Sequence, residues 1–181
     1  MAVQEAELEE IDRQQLLRMV VTAITSVFET MLNMEVSIGE SYCVREAPTP
    51  DIGVLSLIGF AGKWNGTGSL ACSPSGACKV ADALFMSEHA SVDDEVLDGV
   101  AEMTNMILGN VKTELESVFG SMLLSIPTVI YGRNFTTRSL GKKEWLVVPF
   151  TATDAHFEVC VCLVPNVEGE SLFGNRCSLH V

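Results

Sequence analysis

The sequence predicts an α+β fold, two long helices packed on an antiparallel sheet of about six strands. Three observations predict it. Two long stretches place apolar residues at helical spacing. Strand-like runs fall into two groups of three, one group after each stretch. The order points to a pseudo-duplication into two helix-plus-three-strand halves, each a helix followed by a meander.

Residues 10 to 34, EIDRQQLLRMVVTAITSVFETMLNM, carry Leu16, Met19, Val20, Ala23, Val27, Met31 and Met34 at helical spacing. The runs EVSIGESYCV, DIGVLSLIGFAG and GTGSLACS follow as strands. Between the last two, KWNGTG holds Asn65-Gly66, a strong hairpin signal, and reads as their turn. Ser73-Pro74-Ser75 marks a helix start, with proline suited to the first turn, and GACKVADALFM makes a short helix. The polar link SEHASV leads to the second long helix. Asp93, Asp94 and Glu95 suit its N-terminus, where carboxylates meet the positive end of the helix dipole, and it ends near Gly120. LLSIPTVIYG, EWLVVPFTA and HFEVCVCLVP are the second group of strands. Residues 1–165 read as one domain with residues 1–9 flexible, and residues 166–181 as a loosely attached tail without a clear period.

The second long helix contains DGVAEMTNMILGNVKTELE. Val96, Val100, Met103, Ile107, Val111 and Val118 fall on one side and suit a core. The other side carries Asp98, Glu102, Asn105, Gly109, Lys112 and Glu116. That stripe is poorly chosen for a merely solvated surface. Asp98 and Glu102 are like charges one turn apart. Asparagine is a weak helix former, and a mid-helix glycine costs about 1 kcal/mol relative to alanine. Gly109 lets another molecule approach the backbone, and Glu102 and Asn105, three residues apart, project side by side.

The 181 residues suffice for one domain with a sizeable core. Hydrophobic residues make up 48%, which excludes a disordered chain. A net charge of −13 argues against nucleic acid and anionic membrane and favours a protein partner. MAVQEAELEEID lacks the basic and apolar regions of a secretory signal, and MVVTAITSVF is too short to span a bilayer. A cytoplasmic protein is expected. The six cysteines show no Cys-x-x-Cys and read as reduced, buried thiols. His89, His156 and His180 have no ligand partner at metal spacing, so no metal site is expected. GFAGK lacks the P-loop ending, no Gly-x-Ser-x-Gly elbow occurs, and His89 reads as a solvated linker residue.

DGVAEMTNMILGN resembles the phosphatase signature of the CheX/CheC/FliY family of bacterial chemotaxis. In that signature Asp or Ser, three residues, Glu, two residues and Asn are followed further on by Pro. Asp98, Glu102, Asn105 and Pro127 stand at those positions here. VFETMLNMEV, GFAGKWNGTGSL and SIPTVIYGRN also resemble family segments. The likeness covers roughly residues 12 to 164, and the single motif copy matches the CheX branch.

The resemblance implies a phosphatase acting on the aspartyl phosphate of a CheY-type response regulator. It implies that Asn105 orients the attacking water and that Glu102 pairs with the partner's active-site lysine. Asp98, Gly109, Lys112 and Pro127 would contact the partner. The Mg²⁺ would belong to the partner receiver, with no cofactor in this chain. An amide suits water positioning because it donates and accepts hydrogen bonds without adding negative charge beside a phosphoryl group. The resemblance also implies a homodimer joined through the sheets. HFEVCVCLVP, poor in charge, is read as the pairing edge, with Cys160 and Cys162 buried. Two other readings remain open. One is a non-catalytic adaptor that binds a signalling protein through the same helix face, and the other is a structural domain whose stripe is only solvated.

Overall fold

The computed structural model describes residues 11–46, 52–137 and 144–166. The N-terminal segment 1–9, the tail from residue 167, Cys177 and His180 lie outside the described residues. Helix α1 (Arg13–Met31) begins at Asp12, whose carboxylate accepts the Gln14 N–H. Strands β1 (Val36–Ile38), β2 (Tyr42–Val44), β3 (Ile52–Gly62) and β4 (Trp64–Cys72) follow. Helix α2 (Pro74–Phe85) starts as the sequence predicts, with Ser73 as cap and Pro74 in the first turn. Helix α3 (Asp94–Phe119) leads to β5 (Met122–Leu124), β6 (Thr128–Arg133), β7 (Trp145–Ala152) and β8 (Ala155–Pro165).

Eight strands form one antiparallel sheet rather than the expected six, in the order β1-β7-β8-β4-β3-β5, with β2 also on β7 and β6 on β3. The extra strands arise because EVSIGESYCV and LLSIPTVIYG each break in the middle. A backbone hydrogen bond holds each break to the neighbouring strand, Gly39 N–H to Pro149 at 2.8 Å and Ser125 N–H to Gly59 at 2.9 Å.

The halves are not separate meanders. β1 and β2 pair with β7 of the second half, and β5 and β6 pair with β3 of the first. β4 and β8 meet in the centre. This overturns the reading of HFEVCVCLVP as an exposed edge, because β8 is paired on both sides. Its charge-poor run suits a central strand, and the short broken strands take the edges. Cys160 and Cys162 are buried with Trp145 and Val147 in a small cluster apart from the main core. Cys43, Cys72, Cys78, Cys160 and Cys162 form no disulfide among the described residues. Burial pushes Cys72 and Cys160 up to about 12.

The main core lies between the sheet and α1, α2 and α3. Phe28 of α1 meets Phe150 and Phe157 edge-on, at ring separations of 5.0 and 5.4 Å. The tail's first residue is anchored: Asn166 N–H donates to Lys63 O at 2.7 Å and its side-chain amide to Gly62 O at 3.0 Å.

The hairpin signal also needs correction. Asn65-Gly66 lies inside β4, and the chain reverses around Lys63, where Asn65 Oδ1 accepts the Gly62 N–H. Gly66 serves close approach instead: a Cβ there would stand 2.0 Å from the Cys162 carbonyl oxygen of β8. The two-residue turn between β7 and β8 is Thr153-Asp154, with φ of 46° and 61°. Gly66→Ala is expected to push β8 off β4 and destabilise the protein by about 1–3 kcal/mol. Urea unfolding checks this, and an unchanged midpoint would contradict the close-approach role.

Candidate functional site

Helix α3 is fixed at both ends. The Asp93 carboxylate accepts the Val96 N–H at 3.0 Å, Asp94 and Glu95 occupy the first turn, and Gly120 closes the helix with φ of 84°. Its rotation is set by the buried side chains of Val96, Val100, Met103, Ile107, Leu108, Val111, Leu115 and Phe119. Val118 departs from the expected face and is exposed, because the late turns bury Leu115 and Phe119 instead. Two glycines seat the helix closely. A Cβ at Gly99 would stand 3.1 Å from Phe85 and 3.3 Å from Ala81 of α2, and one at Gly68 of β4 would stand 2.6 Å from Leu108.

With that side locked inward, Asp98, Glu102 and Asn105 are exposed on the other side. They line a surface groove with Ala101, and its second wall is Leu124–Pro127, the break between β5 and β6. Of the predicted site residues, the groove gathers Asp98, Glu102, Asn105 and Pro127. No described residue forms a hydrogen bond or ion pair with the side chain of Glu102 or Asn105. The groove's ionisable side chains are two acids.

Gly109 and Lys112 fall outside the groove. A Cβ on Gly109 would meet nothing within 4 Å, so the fold does not require glycine there, in contrast to Gly99. Lys112 is engaged within the helix, its Nζ 2.9 Å from Glu116 Oε2. Glu116 Oε1 accepts the Met122 N–H at 2.9 Å, tying the end of α3 to the start of β5. That N–H, and then Lys112, hold the Glu116 carboxyl below the usual carboxylate range.

Sequence reasoning missed Ser125 and Ile126. Ser125 Oγ accepts the Gly59 N–H at 2.9 Å and donates to Ile126 O at 3.0 Å, so the wall is pinned to β3. The serine in LLSIPTVIYG, inside an apolar run and two residues before a proline, was the available signal.

His89 is not solvated. Its side chain is 5% exposed, with Nδ1 2.8 Å from Asp82 and Nε2 3.0 Å from Glu95. The Asp82 carboxylate also accepts the His89 N–H. The imidazole therefore ties the link before α3 to the end of α2 and to the first turn of α3. Asp82 first and then Glu95 raise its pKa above the ordinary histidine value. Among the described residues, no three His, Cys, Asp or Glu side chains group as a metal site, and no helix is long and apolar enough to cross a membrane.

The family model described as "Chemotaxis phosphatase CheX" matches residues 54–151, a span that includes every residue of the groove. The CheY-P phosphatase CheX of Thermotoga maritima is 29% identical over 128 residues, 68% of this chain and 82% of that protein. A crystal structure of a CheX-CheY-BeF3-Mg²⁺ complex from Borrelia burgdorferi contains a chain 28% identical to this one. It matches with a TM-score of 0.71 over 85% of this chain and 99% of that one. A CheC-like protein from a Shewanella species, 22% identical, shares the fold with a TM-score of 0.75 over 85% of this chain and 99% of its own.

The His89 clamp gives a pH dependence of known sign. Its folded pKa lies above the unfolded value, so its stabilisation is full below about pH 6.5 and fades as pH rises through the folded pKa. His89→Ala is expected to lower stability more at pH 6 than at pH 9, read from urea unfolding at each pH. An equal loss at both would contradict the charged clamp.

Proposed function

The chain belongs to the CheX family of chemotaxis phosphatases, and on that footing we propose that it hydrolyses the aspartyl phosphate of a CheY-type response regulator. One observation carries the reading. Glu102 and Asn105, an acid and an amide whose side chains have no partner among the described residues, stand exposed side by side on a helix whose rotation the core fixes. Asn105 enters the receiver's site and holds a water in line with the phosphorus. Water attacks, the bond from phosphorus to the aspartyl oxygen breaks, inorganic phosphate leaves and the carboxylate returns. Glu102 pairs with the receiver's lysine, in keeping with a groove whose own ionisable groups are acids. Asp98 and Pro127 contact the receiver from the two walls. Gly109 lets it approach the backbone, and Lys112, outside the groove and paired with Glu116 in the free protein, contacts the receiver further along the helix. The receiver supplies the Mg²⁺, and the reaction places the chain in the cytoplasm. A rigid pair acting by position and charge suits phosphoryl transfer, where positioning supplies most of the catalysis.

We further propose a homodimer whose pairing edge is β6, the longest edge strand among the described residues. Light scattering at micromolar concentration is expected to give twice the chain mass, and a monomeric mass would overturn this assignment.

The catalytic reading is tested by following phosphate loss from phosphorylated CheY-type receivers. Asn105→Ala is expected to slow hydrolysis roughly 10²-fold or more, with thermal stability unchanged or raised. Glu102→Ala is expected to weaken the complex by about 2–5 kcal/mol, more than Asn105→Ala does. Hydrolysis by Asn105→Ala at the wild-type rate contradicts the assigned role. Tight binding by the wild type without hydrolysis assigns the chain to the adaptor role instead.

A further inference from the structure

The second wall of the groove carries an unusual side chain. Ile126 is 86% exposed and stands beside Pro127, opposite the exposed face of α3. Single exposed apolar residues are common and need no explanation where the backbone is loose. Here the backbone is not loose. Ser125 donates its N–H to Gly59 O, accepts the Gly59 N–H on Oγ, and donates the hydroxyl to Ile126 O. Pro127 then restricts the backbone on the far side. Three hydrogen bonds and a proline fix the backbone that presents this large apolar side chain to water, next to two carboxylates and an amide that have no side-chain partner among the described residues.

We propose that Ile126 is an apolar docking anchor that seats against the phosphorylated receiver beside the lysine engaged by Glu102. This rests on the reading of the groove as a receiver-phosphatase site. The occupant follows from the chemistry of the two walls. One presents acids and an amide, the other an isoleucine and a proline. The matching surface carries a cation next to an apolar patch, both at the mouth of the phosphorylated site. Docking needs little further ordering of a backbone already fixed, and burial of the side chain excludes water from the rim around the reacting atoms. Ile126 thereby contributes to affinity, while the chemistry remains with Asn105.

The test uses a CheY-type receiver activated with Mg²⁺ and beryllofluoride for binding, and the phosphorylated receiver for turnover. Ile126→Ala is expected to raise Kd about tenfold or more, to raise KM in parallel, and to leave kcat within about twofold. Ile126→Leu keeps the apolar surface and is expected to bind nearly as tightly as the wild type. The side chain is exposed, so neither variant disturbs the core, and a melting curve of each checks this. Wild-type binding and turnover with an unchanged Kd for Ile126→Ala overturns the anchor and leaves the phosphatase reading standing. A Leu variant as weak as the Ala variant also overturns it. No binding and no turnover by the wild type overturns both.

Discussion

The burial of one side of α3 is the constraint on which the rest depends. Eight large apolar side chains from Val96 to Phe119 are buried, each contributing about 1.5–3 kcal/mol. Against that sum, the roughly 1 kcal/mol cost of Gly109 and the mild repulsion of Asp98 and Glu102 are small. The core therefore decides where the helix lies and how it is rotated. The outward stripe is left free to carry residues that do not favour helix stability, which is what the proposed chemical role requires. The two glycines on the helix contrast in this respect. Gly99 is required by Ala81 and Phe85, whereas Gly109 faces open space.

The interlocked sheet supplies the other wall. Had each half formed its own meander, β5 and β6 would lie on β7, away from β3. Instead they lie on β3, and the break between them is pinned at Gly59. The groove thus forms where a helix and a broken strand of the second half meet a strand of the first. Glu116, bonded to Lys112 and to the Met122 N–H, carries the register of α3 into that strand. His89 fixes the opposite end of the helix through Glu95. Rigidity at both ends suits the positioning role proposed for Glu102 and Asn105.

Periodicity made the helices legible, and with them the stripe of Asp98, Glu102 and Asn105, because a 3.6-residue repeat reports directly on which side is buried. Caps were legible for the same local reason at Ser73, Asp93 and Gly120. Strand partners were not. Alternation reports a face and not a neighbour, so β8 was read as an edge when it is central. Asn65-Gly66 has the composition of a turn, yet Gly66 answers to the Cys162 carbonyl across the sheet. His89 shows the same limit, since its partners Asp82 and Glu95 are held near it only by the packing of α2 on α3. Lys112 was grouped with the stripe by its angle on the helix, while its charge is taken up by Glu116.

In the proposed complex, the outward stripe of α3 and the wall at Leu124–Pro127 together receive an activated receiver. Nuclear magnetic resonance of the isotopically labelled protein, titrated with a receiver carrying Mg²⁺ and beryllofluoride, tests it most directly. The largest shift is expected at the Asn105 side-chain amide, accompanied by residues 98–109 and 124–127, with much weaker changes on adding the unactivated receiver. Shifts confined to the sheet edges or to α1, with the Asn105 amide unmoved, would contradict it.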